Sequence, residues 1–222
     1  MDNMVSAYCK PLEIPTFSLF NSAFDEGIPT NEIQEDAGVC FSSEGMFYLG
    51  FRHYPAFDLN LAGARSVLLV RDPRDMLVSM YYSVVKSHVI PEKNKNFLRS
   101  RHAAEQMSVD EFVLNKSALY VNNFKKYRRK LPAETLTTYR YEDVIYEKEV
   151  WLRQIVADLE LPLDRKLISR TVKQFDIIPE HEDQDQHIRQ VHPGNYQVKL
   201  QPETIEILND KLSAFLSYYN YL

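Results

Sequence analysis

Cysteine is scarce in this chain of 222 residues: only Cys9 and Cys40 occur, and they do not form a close pair of the metal-ligand type. That spacing disfavours both a disulfide framework and a zinc site. No apolar run approaches the ~20 residues of a membrane-spanning helix. The residues after Met1 do not follow the basic, apolar and small-residue succession of a secretory signal. The expected setting is therefore a reducing cytoplasm, with no membrane span. Positive charge is also in short supply, with 26 Lys and Arg against 31 Asp and Glu and a net charge of −5. The basic footprint of a general nucleic-acid binder is missing. An anionic ligand would have to be met by a few aimed cations. Internal repeats and low-complexity tracts are absent.

The apolar share of 45% and the charged share of 26% are those of an ordinary globular protein. The length suits one sizeable domain, taken as residues 1–222. Met4, Val5 and Tyr8 stand at helical spacing in Met1–Cys9. Gly45–Arg52 (GMFYLGFR) reads as a strand. Ser66–Val70 (SVLLV) is a short continuous apolar run that suits a strand buried on both faces of a parallel sheet. It leads into Arg71-Asp72-Pro73-Arg74-Asp75 and a helical stretch, Met76–Lys86, with Pro73 where a first helical turn tolerates it.

Ser108 and Glu111 form a potential capping box for a helix over Val109–Leu119, followed by a basic helical segment, Asn122–Lys130. Thr135–Tyr139 is a further strand, and Glu147–Leu159 and Leu163–Gln174 are amphipathic helices. Pro179–Gln186 is an acidic loop, and Pro202–Tyr218 a closing helix. Strands alternating with helices predict an α/β fold with a parallel sheet flanked by helices.

The segment richest in chemistry is Val67–Val84, VLLVRDPRDMLVSMYYSV. Arg71 leaves the carboxyl end of a strand, the edge at which open α/β sheets bind ligands. Ser79 follows two helical turns later. An arginine fork and a serine hydroxyl are matched donors for one small anion. The bland alternative pairs Arg71 with Asp72 or Asp75 and leaves Ser79 to pack.

RDPRD followed by Val-Ser-x-Tyr resembles the 3′-phosphate motif of the cytosolic-type sulfotransferases, which use 3′-phosphoadenosine 5′-phosphosulfate. The resemblance makes Arg71 and Ser79 ligands of the 3′-phosphate. It also implies the family's relationship to P-loop nucleotide hydrolases in fold, and a reaction that needs no metal. Upstream, YLGFRHYP (Tyr48–Pro55) is similar to the family's strand ending in Lys-x-His-x-Pro and places His53 on the catalytic histidine. A histidine suits the removal of a proton from an acceptor hydroxyl near neutrality, whereas a lone histidine at a strand end is otherwise structural. Phe51 stands where the family often has lysine.

Downstream, LTTYRYEDV (Leu136–Val144) resembles the strand and Tyr-Glu-Asp-Leu segment of that family. By that match Tyr141 lies against adenine; its alternative is core packing. HIRQVHPGNY (His187–Tyr196) resembles the late Arg-Lys-Gly loop and makes Arg189 a second 3′-phosphate arginine. Gln190 and Val191 replace the lysine and glycine. Without the resemblance, Arg189 reads as a solvated charge.

The resemblance spans most of the chain but not the family's first strand and phosphosulfate-binding loop, for which no glycine-containing segment with lysine and serine or threonine is found. Met1–Cys9 looks like the helix that should follow that loop. The expectation is a domain lacking its N-terminal element, with a sheet edge left unpaired beside Ser66–Val70 or its neighbours and a route to self-association. The function implied is sulfate transfer to a small-molecule or glycan hydroxyl, or to an amine. The alternative is a non-catalytic nucleotide-binding or interaction protein that keeps the 3′-phosphate site alone. The acceptor pocket would lie in loops such as Thr16–Phe41 and His88–Ala104.

Overall fold

The computed structural model describes residues 1–29, 32–33, 45–59, 61–87, 90–183 and 190–222. They divide into two compact units. The first comprises Met1–Leu69, Leu131–Tyr139 and Asp143–Ile177; the second comprises Val70–Lys130, Arg140–Glu142 and Ile178–Leu222.

The chain opens with helix α1 (Asp2–Cys9), which buries Met4, Val5, Tyr8 and Cys9 on one face. Strand β1 (Thr16–Phe17) and helix α2 (Leu19–Asp25) follow, the helix capped by the Ser18 hydroxyl. Strand β2 (Phe47–Tyr48) pairs in parallel with β1, Thr16 opposite Phe47 and Phe17 opposite Tyr48. The strand predicted over residues 45–52 is thus cut to two residues. Gly45 at φ 55° and Gly50 at φ 80° bracket it in left-handed conformations that end an extended run.

Strand β3 (Ser66–Val70) has the predicted bounds and pairs with β4 (Leu136–Arg140). Only Val70 of β3 is fully buried, so the expected burial on both faces is not reached. A two-stranded ribbon covers less of each strand than the interior of a wide sheet does.

Helix α3 (Pro73–Tyr82) passes into a π-helical turn, Ser83–Ser87. Helices α4 (Lys95–Glu105) and α5 (Val109–Lys130) come next. The capping box forms: Glu111 accepts the Ser108 N–H at 2.8 Å, and Ser108 Oγ accepts the Glu111 N–H at 3.2 Å. The two helical segments predicted after it are one continuous helix. No glycine or proline interrupts it, and Phe112, Val113, Ser117 and Phe124 give it a single buried face.

Tyr141–Val144 is a short helical turn, α6, followed by α7 (Lys148–Asp158), α8 (Arg165–Phe175) and α9 (Tyr196–Lys199). The predicted closing helix is two, α10 (Pro202–Lys211) and α11 (Ser213–Tyr218), broken where Leu212 leaves helical geometry with its side chain buried. Residues 179–183 of the acidic loop have no regular structure, and the rest of it lies outside the described residues.

Each unit has its own core. In the first, α1, α7 and α8 bury Val5, Tyr8, Leu152, Ile155 and Ile168 together. The Tyr8 hydroxyl donates to the Pro162 carbonyl at 2.5 Å and accepts the Asp164 N–H at 3.0 Å, which ties α1 to the entry of α8. In the second, α3, α5, α10 and α11 enclose Leu77, Val78, Val113, Leu208, Leu212 and Leu216. The architecture is mixed α/β, with small sheets flanked by helices. Among the described residues, no helix is long and apolar enough to cross a membrane.

Candidate nucleotide site

Three of the predicted positions, Arg71, Ser79 and Tyr141, fall in the second unit, and two of them meet. The Arg71 guanidinium lies 4.3 Å from the centroid of the Tyr141 ring. Arg71 follows β3 and Tyr141 follows the last residue of β4, and these two strands pair. The Tyr141 hydroxyl donates to the Val191 carbonyl at 2.8 Å. Ser79 sits half-buried on α3. His53 belongs to the first unit, half-buried, with its ring edge-on to Phe20 at a centroid separation of 4.5 Å. Arg189 lies outside the described residues.

The charges around Arg71 divide unequally. Asp72 caps α3 by accepting the Arg74 N–H at 2.9 Å, and its carboxylate also takes the Arg74 fork, with Nε at 2.9 Å and Nη2 at 2.6 Å. Arg74 completes its contacts on Asn209 Oδ1 at 2.6 Å and the Tyr221 carbonyl at 3.0 Å. Asp75 accepts the Gly194 N–H at 2.7 Å and the Tyr196 N–H at 2.9 Å. Burial pushes its carboxyl above the usual range, while the Tyr196 and Gly194 N–H bonds and the nearby Arg71 pull it back.

Arg71 reaches Asp75 only at 3.8 Å, longer than a hydrogen bond. Its side chain is 14% exposed, and its buried Nε has no hydrogen-bond partner. A buried donor without an acceptor is costly, so this Nε has a hydrogen bond left to make. Of the two alternative pairings of Arg71, the one with Asp75 is present as a loose ion pair, whereas Asp72 is taken by Arg74; the Arg71 Nε keeps its donor. Phosphate oxygens fit that donor set.

Sequence reasoning missed Glu142 and Tyr221. Glu142 Oε1 accepts the Asp72 N–H at 3.0 Å, and Oε2 accepts the Tyr221 hydroxyl at 2.7 Å. The Arg140 guanidinium covers the Tyr221 ring at 4.5 Å. The alternation of Arg140, Tyr141 and Glu142 was visible, but nothing in it pointed to Tyr221, some eighty residues further on. A cleft of about 350 Å³ is lined by Asp72, Arg74, Arg140, Glu142 and Tyr221 among others. Its charges are largely matched to one another, and Arg71 is not in its wall. A groove of about 440 Å³ on the outer face of α8, lined by Arg165, Lys166, Ser169, Arg170 and Lys173, contains none of the predicted residues.

Sulfotransferase-domain sequences match residues 58–210, well over half of the chain. The chain belongs to the sulfotransferase domain family. Arg71, Ser79, Tyr141 and Arg189 lie inside the matched interval, and His53 lies five residues before it. Mouse sulfotransferase SULT7A1 complexed with PAP is similar at 14% identity over 79% of this chain and 70% of that one, with a TM-score of 0.46. Retinol dehydratase in complex with androsterone and inactive cofactor PAP is similar at 16% identity over 79% of this chain and 54% of that one, with a TM-score of 0.40. No curated protein matches the chain. Among the described residues of this sulfotransferase-family chain, no three His, Cys, Asp or Glu side chains gather as a metal site.

Proposed function

We propose that this chain binds 3′-phosphoadenosine 5′-phosphosulfate and passes its sulfuryl group to a hydroxyl or amine on a small-molecule or glycan acceptor, acting as one cytoplasmic sulfotransferase-like domain. The observation that carries the reading is the buried Arg71 Nε without a partner, in a segment matched by the family. Arg71, Ser79 and Arg189 hold the 3′-phosphate, a dianion that a guanidinium fork and a hydroxyl suit. Tyr141 lies beside adenine.

His53 accepts the proton of the acceptor as the acceptor's lone pair forms the new bond to sulfur. The bond between sulfur and the bridging phosphate oxygen breaks, and adenosine 3′,5′-bisphosphate leaves with that electron pair. When bound, the co-substrate supplies the activated sulfuryl group. The residues of this chain bind, orient and take up one proton.

Titration calorimetry with adenosine 3′,5′-bisphosphate and adenosine 5′-monophosphate tests the reading. The bisphosphate is expected to bind more tightly, and Arg71→Ala to remove most of the difference. Equal affinities in the unaltered chain would overturn it.

A further inference from the structure

We propose that Asp75 is a positioning residue for the phosphate end of the nucleotide site, holding the segment Val191–Tyr196 against the two residues that set Arg71. This rests on the nucleotide reading above.

The contacts form a closed circuit. Arg71 holds its guanidinium over the Tyr141 ring and reaches Asp75 at 3.8 Å. Tyr141 donates to the Val191 carbonyl, and Asp75 accepts from the Gly194 and Tyr196 N–H groups. One short segment is therefore stitched at its start by one neighbour of Arg71 and at its end by the other. Gly194 has φ 86°, a left-handed conformation that favours glycine and turns the chain within the stitched stretch. Tyr196 in turn lies under the Arg74 guanidinium at 4.3 Å.

The arrangement is paradoxical by charge alone. Asp75 is only 1% exposed, and it stands beside the cation assigned to a phosphate. A buried carboxylate next to an anion site repels the ligand and competes for the arginine. If Asp75 were a mere counter-ion, its neutralisation would strengthen phosphate binding. As a clamp it has the opposite sign: its loss frees residues 191–196 and misplaces both the late segment and Arg71, and phosphate binding weakens.

Asp75→Ala and Asp75→Asn separate the two. The asparagine variant removes the charge but keeps one acceptor oxygen, and it remains informative if the alanine variant fails to fold. Two measurements apply to each: hydrogen exchange at the Gly194 and Tyr196 amides, and calorimetric affinity for adenosine 3′,5′-bisphosphate and 5′-monophosphate. Asp75→Ala is expected to accelerate exchange at both amides and to weaken the bisphosphate by about tenfold or more, the scale of one charge-assisted hydrogen bond. Monophosphate binding should change little, and Asp75→Asn should fall between. Bisphosphate binding that is unchanged or tighter in Asp75→Asn would overturn the clamp. So would exchange at Gly194 and Tyr196 as slow as in the unaltered chain. Failure of the unaltered chain to prefer the bisphosphate would instead sink the nucleotide reading, and the exchange rates would still decide whether Asp75 holds the segment.

Discussion

The guanidinium of Arg71 rests 4.3 Å from the ring centroid of Tyr141, seventy residues further along the chain. The aromatic face attracts the cation, and the buried Arg71 Nε stays without a hydrogen-bond partner. Arg71→Ala is expected to weaken adenosine 3′,5′-bisphosphate binding by about 1.5–3 kcal/mol. Arg71→Lys should recover only part of that, since an ammonium has neither the fork nor the flat face. Tyr141→Phe should retain the stack and lose the Val191 bond, and Tyr141→Leu should lose both. Calorimetry on the four variants ranks them; full recovery by lysine would argue against a fork-specific site.

His53 is assigned to the acceptor proton and not to the nucleotide. His53→Ala should lower sulfate transfer by about 10²–10⁴ and leave bisphosphate affinity within twofold. Radiolabelled transfer to a panel of hydroxyl acceptors, run beside calorimetry, measures both. Normal turnover in the variant would remove histidine from the reaction.

The Asp72–Arg74 pair is structural, with side chains only 9% and 6% exposed and a bidentate geometry. Removal of one partner leaves a buried charge uncompensated. Arg74→Met should therefore destabilise the fold by about 3–5 kcal/mol. It also frees the Tyr221 carbonyl and Asn209. The double variant Asp72→Asn, Arg74→Met should cost less than the sum of the two single changes, because no charge is stranded. Denaturant melts of the set would show the non-additivity; strict additivity would mean that the pair is solvated.

Tyrosine ionisation gives an alkaline limit. Burial and the bond to Glu142 push the Tyr221 hydroxyl well above the usual tyrosine range, burial and Asp158 do the same for Tyr139, and burial pushes Tyr219 up to about 12. In each case the folded state holds the proton more tightly than the unfolded chain. Their contribution to stability is fully present below the ordinary tyrosine value of about 10 and is lost as pH rises above it. Melting temperature should fall steeply from about pH 10 upward, with tyrosinate absorbance rising on unfolding. Tyr221→Phe, which has no proton to lose, should flatten that slope. A slope unchanged in this variant would show that Tyr221 is not among the responsible groups.

Much of the local structure was legible because local rules determine it. The apolar run Ser66–Val70 had to be extended, Pro73 and Asp72 had to open a helix, and Ser108 with Glu111 had to cap one. The order of motifs around Arg71, Ser79, Tyr141 and Arg189 was equally a property of the linear chain. Element lengths were less secure. Two left-handed glycines shortened the strand before His53, and Leu212 split the last helix, because backbone angles at single positions override an apolar pattern spread over many.

What only the tertiary structure decided is which aspartate belongs to which arginine. In sequence, Asp72 and Asp75 were both open as partners of Arg71. In the fold Arg74 takes Asp72 bidentately, while Asp75 turns to the N–H groups of Gly194 and Tyr196, more than a hundred residues away. Arg71 is left with a loose contact at 3.8 Å and a buried Nε without an acceptor. Partner choice among identical charges depends on directions and competing donors in space, and those exist only once the distant segment has been packed into place.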